Sequence, residues 1–427
     1  MEKAKRFLEK HRIRACDFNM DRLVSLFHSE MAKGLSGEES SLRMIPTYIE
    51  ADNEFLVDTP AIAIDAGGTN FRAALVSFSS EGRLETGEVL NHGMPGLDRE
   101  VSKKEFFDTL AGFIKPVSEK ADRIGFCFSY PTEILPHKDG ILLQFCKEVQ
   151  APEVVGQLIG KSLLEALGSP EKKIVLLNDT VATLLAGKSA SFGKTYDSFI
   201  GYILGTGTNT CYIEQNSAVT KTGGLDRSRS QIINIESGNF ALAPRSDLDL
   251  VFDRTTSNPG NYSFEKMFSG GYFGGLCLTV LRAAAGEGLF TKGGKAGLEK
   301  IKELSSGEAS EYVSEVKPSG NILFRCFTDE SDKRRSIFII DSLIDRAARL
   351  VAANLAAVVL KTDKGKNAEH PVLITIEGTA FYRLHNLKSR FEDYFGSYLE
   401  GDRKRYVEFT NVGQSSLIGA ALSALID

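Results

Sequence analysis

Hydrophobic positions near the start of the chain recur at helical spacing. Met20, Leu23, Val24, Phe27 and Met31 would line one face of a helix. The segment GLSGEESSLRMIPTYIE, from Gly34, breaks that period with glycine, serine and a proline, and reads as a loop or linker. From Pro60 the period changes. Ile62 to Asp65 and Phe71 to Phe78 read as two strands joined by Gly67-Gly68. A helical segment is expected around Lys103 to Ile114, then a strand from Ile124 to Phe128 that ends at Ser129-Tyr130-Pro131-Thr132. Ile174 to Leu177 reads as a strand running into Asn178-Asp179 and a helix, TVATLLAGKSA. Ile200 to Leu204 reads as a strand that breaks at GTGTN and resumes from Cys211 to Glu214. Late in the chain, Ile340 to Leu360 has the pattern of a long helix, followed by the strand VLITIE and the turn Gly378-Thr379.

Strands alternate with helices, so the expected class is α/β. One unit occurs twice: an apolar strand, a Gly/Thr turn and a second strand, at Asp65 and again at Gly205. The repetition suggests two related halves, each offering a turn to one ligand. A glycine turn lets backbone N–H groups approach a ligand without a Cβ in the way, and successive N–H groups form an anion-binding concavity. GGTN and GTGTN each have the composition of a phosphate cradle. Each also has the composition of a type I′ hairpin turn, which favours glycine and asparagine. Neither is a P-loop, because GxxxxGK[ST] is absent, as is a convincing GxGxxG between strand and helix.

Several acids sit where such a site would need them. Asp65 ends its strand beside the first cradle, where it could hold a hydrated magnesium ion or accept N–H bonds from the turn. Asp179 follows a strand, where α/β folds usually bind ligands. It could accept a proton from a substrate hydroxyl or could cap the following helix. Glu236 in NIESGNF and Glu265 in SFEKMFSGGYFGG lie in Gly- and Asn-rich surroundings, as a site for several hydroxyls requires, although glutamates are also common surface charges. Lys147 in QFCKEV follows an apolar run and could equally be a solvated lysine.

Composition narrows the classes. The 427 residues are 42% hydrophobic and 25% charged, as in an ordinary globular protein of two or three domains or one two-lobed unit. A net charge of -5 argues against a dedicated nucleic-acid binder. The six cysteines form no CxxC pair, which fits reduced thiols in a cytosolic protein better than a disulfide framework or a zinc site. The N-terminus is charged and lacks the apolar core of a secretory signal or of an organelle anchor, and no apolar run is long enough to span a membrane.

Taken in series, IDAGGTNFR, GFCFSYP, LNDTVATLLAG, GYILGTGTNTCYIE, NIESGNF, NPGNYSFEKMFSGGYFGG and IEGTAFYRLH resemble the hexokinase family. The resemblance begins at SSLRMIPTY and runs to the C-terminus. It implies a two-lobed actin-like (ribonuclease H-like) sugar kinase fold with a central cleft. The expected small lobe is 60–178 with 412–427 returning to it, and the expected large lobe is 1–59 with 179–411. It implies Mg2+ and ATP, with Asp65, Gly67, Gly68, Thr69, Asn70 and Arg72 near the phosphates and the metal. Thr206, Gly207 and Thr208 would form the second phosphate turn, with Asn209 facing the sugar. Ser129, Lys147, Asn178, Glu236 and Glu265 match the sugar-binding positions, and Asp179 matches the catalytic base. Gly378 and Thr379 match the adenosine turn, with Ser416 nearby. The implied activity is phosphoryl transfer from Mg-ATP to the 6-hydroxyl of a hexose, glucose being the expected acceptor and mannose or fructose alternatives. A non-catalytic sugar sensor or an actin-like filament or chaperone ATPase are the rival classes. The expected partners are hexose and Mg-ATP, with no nucleic acid and no membrane, for a cytoplasmic monomer or homodimer.

The chain departs from the family pattern at identifiable places. Phe145-Cys146-Lys147-Glu148-Val149 replaces Trp-Thr-Lys-Gly-Phe, Ser237 replaces a tryptophan, and Tyr262 replaces a glutamine. These changes bear on sugar choice. SSLIGAA replaces a GSGKGAA-like stretch, which bears on the base-binding part of the nucleotide pocket.

Overall fold

The computed structural model describes residues 1–50, 54–145, 149–191, 193–314 and 320–426. Two mixed sheets carry the architecture. Their strands are β1 (Ile45–Pro46), β2 (Ala61–Gly67), β3 (Asn70–Phe78), β4 (Leu84–Thr86), β5 (Leu90–Gly93), β6 (Arg123–Phe128), β9 (Lys173–Leu177), β10 (Ser198–Leu204), β11 (Thr208–Gln215), β12 (Ser230–Asn234), β13 (Val372–Glu377) and β14 (Val407–Thr410). A small ribbon, β7 (Thr132–Ile134) with β8 (Gly140–Leu142), stands apart.

The first sheet has the order β4-β3-β2-β6-β9, with β5 also on β3. The second has the order β1-β12-β11-β10-β13-β14. In each, a hairpin of antiparallel strands is extended on one side by two parallel strands: β2 with β6 and β9, β10 with β13 and β14. The two halves inferred from the repeated hairpin therefore share one topology. Central strands such as β2 are buried along nearly their whole length, which is why they read as continuous apolar runs rather than alternating ones.

The halves are locked together by exchanging helices. Helix Asp179–Ala190 follows β9 of the first sheet but packs on β10, β11 and β13 of the second. Helix Ser415–Leu425 follows β14 of the second sheet but packs on β2, β6 and β9 of the first. The two helices also pack on each other, and both are buried around most of their circumference, as a helix without a polar face must be. Their approach is backbone to backbone: a Cβ on Gly419 would collide with the Ala182 carbonyl, and one on Gly125 with the Ala420 carbonyl.

Two expectations need correction. The long helix runs Glu330–Thr362, ten residues earlier than its apolar pattern begins. Asp329 caps it, and its charged first turns are retained because buried Asp332 accepts the N–H and hydroxyl of Thr291. The segment from Gly34 is not simply a linker. Its first residues complete helix Met20–Ser36, and Ile45–Pro46 adds an edge strand to β12. Tertiary pairing at a sheet edge overrides the turn-like composition there. Among the described residues no helix is long and apolar enough to cross a membrane, and Cys127, Cys211, Cys277 and Cys326 are buried free thiols while Cys16 is an exposed one.

Candidate active site

The ends of the parallel strands and the hairpin turns come together, Gly67 lying against Ser129, Gly205 against Gly378 and Gly207 against Glu265. At the first hairpin, Gly67 pairs with Asn70 across the turn. Gly68 alone takes a positive φ, +59°, so the turn is not type I′, which needs two such residues. Gly68, Thr69 and Asn70 are exposed, and a side chain on Gly68 would meet no atom within 4 Å. The Tyr130 hydroxyl donates to the Gly68 carbonyl at 2.8 Å and steadies the turn.

Asp65 lies on β2, opposite Arg72 on β3 and Cys127 on β6, and is 8% exposed. Its Oδ2 accepts Arg72 Nε at 3.1 Å and also Nη2. The turn N–H groups considered as its partners from the sequence are replaced by this guanidinium. A cation thus already stands beside the acid that the phosphate motif places near the metal.

The second hairpin is stitched more tightly. Gly205 N–H donates to Gly207 O at 2.9 Å, and Thr208 pairs with Leu204. The carbonyls of Gly205 and Thr206 accept N–H bonds from Gly270 and Gly271, both at 2.8 Å, so the SGGY segment braces this turn. Thr206 is exposed. Gly378 lies flat against the same turn: its φ is +108°, and a Cβ there would collide with the backbone of Leu204. Thr379 starts a short helix and is exposed, while Ser416 lies in the first turn of helix Ser415–Leu425. The Glu377 carboxylate accepts Val412 N–H at 3.2 Å and ties these two segments together.

Polar groups converge below the turns. Asn209 Nδ2 lies 2.7 Å from Asn234 Oδ1, 3.1 Å from Glu236 Oε1 and 3.4 Å from Asn178 Oδ1. Asn234 Nδ2 donates to Glu236 Oε1 at 2.9 Å. Ser129, Asn178 and Glu236 line a cavity of about 250 Å³ with Arg43, Thr47 and Tyr262. Glu265 sits behind it and accepts Thr208 N–H at 2.8 Å, which couples the sugar-type acids to the second hairpin.

Asp179 occupies the first position of its helix, but the cap is Asn178, whose Oδ1 accepts Thr180 N–H at 2.9 Å. Asn178 thus carries the cap, and among the described residues the Asp179 carboxylate is held only by Thr180, whose hydroxyl donates to Oδ1 at 3.3 Å. Burial, with the charges of Asp65 and Glu236, raises its pKa to about 6, against the bond from Thr180 N–H. Burial also raises Glu265 to about 7, opposed by its bond from Thr208 N–H and helped by the charge of Glu236. Glu236 is raised by burial and pulled back by its bonds to Asn234 and Asn209 and by the charge of Arg43. Several carboxylates in one weakly solvated cleft are costly to stability, which is typical of functional sites.

The structure brings Asp65, Ser129, Asn178, Asp179, Asn209, Glu236 and Glu265 together, with the two hairpins and the Gly378 turn around them. Lys147, with Cys146 and Glu148, lies outside the described residues. Arg43, Thr47 and Asn234 join the site without having been singled out as candidates. The signal existed, since Arg43 and Thr47 lie in SSLRMIPTY and Asn234 opens NIESGNF.

Hexokinase family models match residues 3–189 and 199–426. Hexokinase-3 of Homo sapiens is 31% identical over 397 residues, covering 86% of this chain and 41% of that protein. The chain thus spans about two fifths of the length of the mammalian relatives it matches. Hexokinase-1 of Spinacia oleracea is 30% identical over 92% of this chain and 85% of its own length. A solved hexokinase from Schistosoma mansoni, complexed with glucose, superimposes with a TM-score of 0.77 at 23% identity, covering 99% of both chains. That likeness establishes the two-lobed actin-like fold, and the sequence matches with it establish that the chain belongs to the hexokinase family.

Proposed function

We propose that this chain transfers the terminal phosphoryl group of ATP to the 6-hydroxyl of a hexose, glucose foremost. The observation that carries the reading is Asp179: a carboxylate with pKa about 6, next to Asn178 on the wall of a polar cavity and near enough to Asp65 and Glu236 to feel their charges, while Asn178 takes the helix cap. A base of that pKa is mostly ionised at neutral pH and still basic enough to take a hydroxyl proton as oxygen attacks phosphorus. Ser129, Asn178, Asn209, Glu236 and Glu265 would hold the sugar hydroxyls, and Lys147 would reach the sugar from outside the described residues. The turn backbones of both hairpins, with Thr69, Asn70 and Thr206, would hold the phosphates; Thr208, expected there from the sequence, is buried and braces the turn instead, its N–H on Glu265 and its hydroxyl on the Ile203 carbonyl. Gly378, Thr379 and Ser416 would hold the adenosine.

The residues present suit magnesium. Asp65 is a single buried carboxylate beside open backbone, and Mg2+ takes one or two carboxylates and keeps most of its waters. Among the described residues no cluster of three or more His, Cys, Asp or Glu forms a protein cage for a metal, so Asp65 would act with water and phosphate oxygens. When bound, the ion supplies neutralisation of phosphate charge. Arg72, already on Asp65, would assist that neutralisation. We assign the small lobe to 60–178 with 412–427, the remainder to the large lobe, and the protein to the cytoplasm, in keeping with its free thiols.

Tyr262 favours testing other acceptors beside glucose. It holds a left-handed φ of +52° on the cavity wall beside Glu236, where the family has a glutamine. The test is purified protein with Mg-ATP and glucose, mannose, fructose or buffer, reading ADP and sugar phosphate together. ADP matched by glucose 6-phosphate, with little release in buffer, is the expected result. Rapid ADP release without sugar phosphate would overturn the reading, and silence in every tube would favour a sensor.

A further inference from the structure

A second and larger cavity, about 590 Å³, lies in the first half of the molecule away from the cleft. Arg123 and Lys173 begin β6 and β9, whereas Ser129 and Asn178 follow the far ends of those strands. At roughly 3.3 Å per strand residue, about 15–20 Å separates the two sites. The volume falls within the usual range of small-molecule pockets, roughly 300–1,000 Å³.

Its lining carries more basic than acidic side chains, although the whole chain has a net charge of -5. Arg123, Lys138, Lys161, Lys172 and Lys173 line it together with the carboxylates of Asp139 and Glu165. Asp139 is buried and consumed by backbone N–H groups of Gly140, Gly160 and Lys161, at 2.7, 2.7 and 2.9 Å. Glu165 is 3.8 Å from Lys161. The Arg123 guanidinium is fixed on the wall by donating to the Ala424 carbonyl at 3.1 Å. Lys172, its side chain 8% exposed, is positioned by the Ala121 carbonyl at 2.9 Å and Asp122 at 3.3 Å. Between the cations the floor is apolar: Leu158, Leu164, Ile174, Val175 and Ile426. Cations over an apolar floor suit an anion carried on an apolar body.

We propose that this cavity binds a phosphate monoester with an apolar organic portion, at a site separate from the cleft. The phosphate would lie among Lys161, Lys172, Lys173 and Arg123, and the organic portion on Leu164, Ile174 and Ile426. Ile426 follows helix Ser415–Leu425, whose first turn carries Ser416. The occupant would therefore touch the far end of a helix about 16 Å long, at 1.5 Å per residue, that starts beside the Gly378 turn.

The test is calorimetric titration of the full chain with 1-naphthyl phosphate, and with inorganic phosphate as the bare anion. Lys161→Glu/Lys173→Glu is compared with the unaltered protein, both positions being exposed and outside the cleft. The expected result is one bound 1-naphthyl phosphate per chain, an affinity that falls with added salt, at least about a tenfold loss in the double variant, and weaker binding of inorganic phosphate. Lys161→Gln/Lys173→Gln, checked for an unchanged unfolding temperature, covers the case in which charge reversal disturbs folding. Absence of binding, or affinity unchanged in both variants, would overturn the proposal. Equal affinity for inorganic phosphate would overturn the part played by the apolar floor. The readout is binding rather than turnover, so its failure leaves the phosphotransfer reading intact, and failure of that reading leaves this one intact.

Discussion

Replacing Asp179 with asparagine should make the protein inactive and more stable at once. The substitution keeps the size of the side chain and its acceptor for Thr180, whose hydroxyl lies 3.3 Å from Asp179 Oδ1. What it removes is a charge held in a poorly solvated cleft facing Asp65 and Glu236. The pKa of about 6 stands roughly two units above the ordinary 3.8, and each unit is worth about 1.4 kcal/mol. Ionised Asp179 therefore costs the folded state about 3 kcal/mol at pH 8. Because the folded pKa is the raised one, the folded state holds the extra proton between about pH 4 and 6. Stability is lost as pH rises through that window, and below about pH 4 the cost vanishes. For 427 residues, an unfolding entropy of roughly 2.1 cal/mol/K per residue makes 3 kcal/mol worth about 3 °C. Calorimetric unfolding of both proteins at pH 8 and near pH 4 checks this. Asp179→Asn should unfold about 3 °C higher at pH 8, with the gap closing toward pH 4. Turnover should fall roughly 10²- to 10⁴-fold, with sugar binding largely kept. Equal or lower stability at pH 8 would refute the electrostatic account, and near-normal turnover would refute the base assignment.

Other outcomes follow from the same geometry. In the unaltered protein, turnover should rise with pH through about 6 as Asp179 ionises, and a pH-rate profile flat from 5 to 8 would contradict that role. Gly378→Ala places a Cβ against the Leu204 backbone at a φ of +108°, so stability should drop by about 2–4 kcal/mol and the KM for ATP should rise, measured by denaturant unfolding and initial rates. Arg72→Ala strips buried Asp65 of its partner and should raise the KM for ATP roughly tenfold or more, with Arg72→Lys recovering part of it. Arg346, fully buried, is held by Asp249 through two bonds of 2.9 Å, and Arg346→Leu should cost about 3–5 kcal/mol in unfolding without altering substrate preference.

The sequence by itself determined the elements and their chemistry. Apolar runs around Asp65, Leu177 and Gly205 are short, rich in β-branched residues and bounded by glycine, so they read as buried strands and the glycines as turns, because the hydrophobic effect and backbone sterics act locally enough to be written in a short window. Family motifs at those turns carried the cleft residues with them, and the duplicated hairpin disclosed two related halves. Tertiary structure alone decided the partnerships. No local pattern says that Arg72 rather than a turn amide holds Asp65, that Asn178 rather than Asp179 takes the helix cap, or that Arg43, Thr47 and Asn234 face the same cavity as Ser129. Nor does it say that the helices Asp179–Ala190 and Ser415–Leu425 each cross to the other sheet. The Arg72 and Asn178 contacts span only a few residues but are chosen among local alternatives by the fold, whereas the shared cavity and the exchanged helices depend on groups tens to hundreds of residues apart. A carboxylate's pKa depends on which charges and amides reach it through a low dielectric, and that is a property of the packed chain rather than of any segment of it.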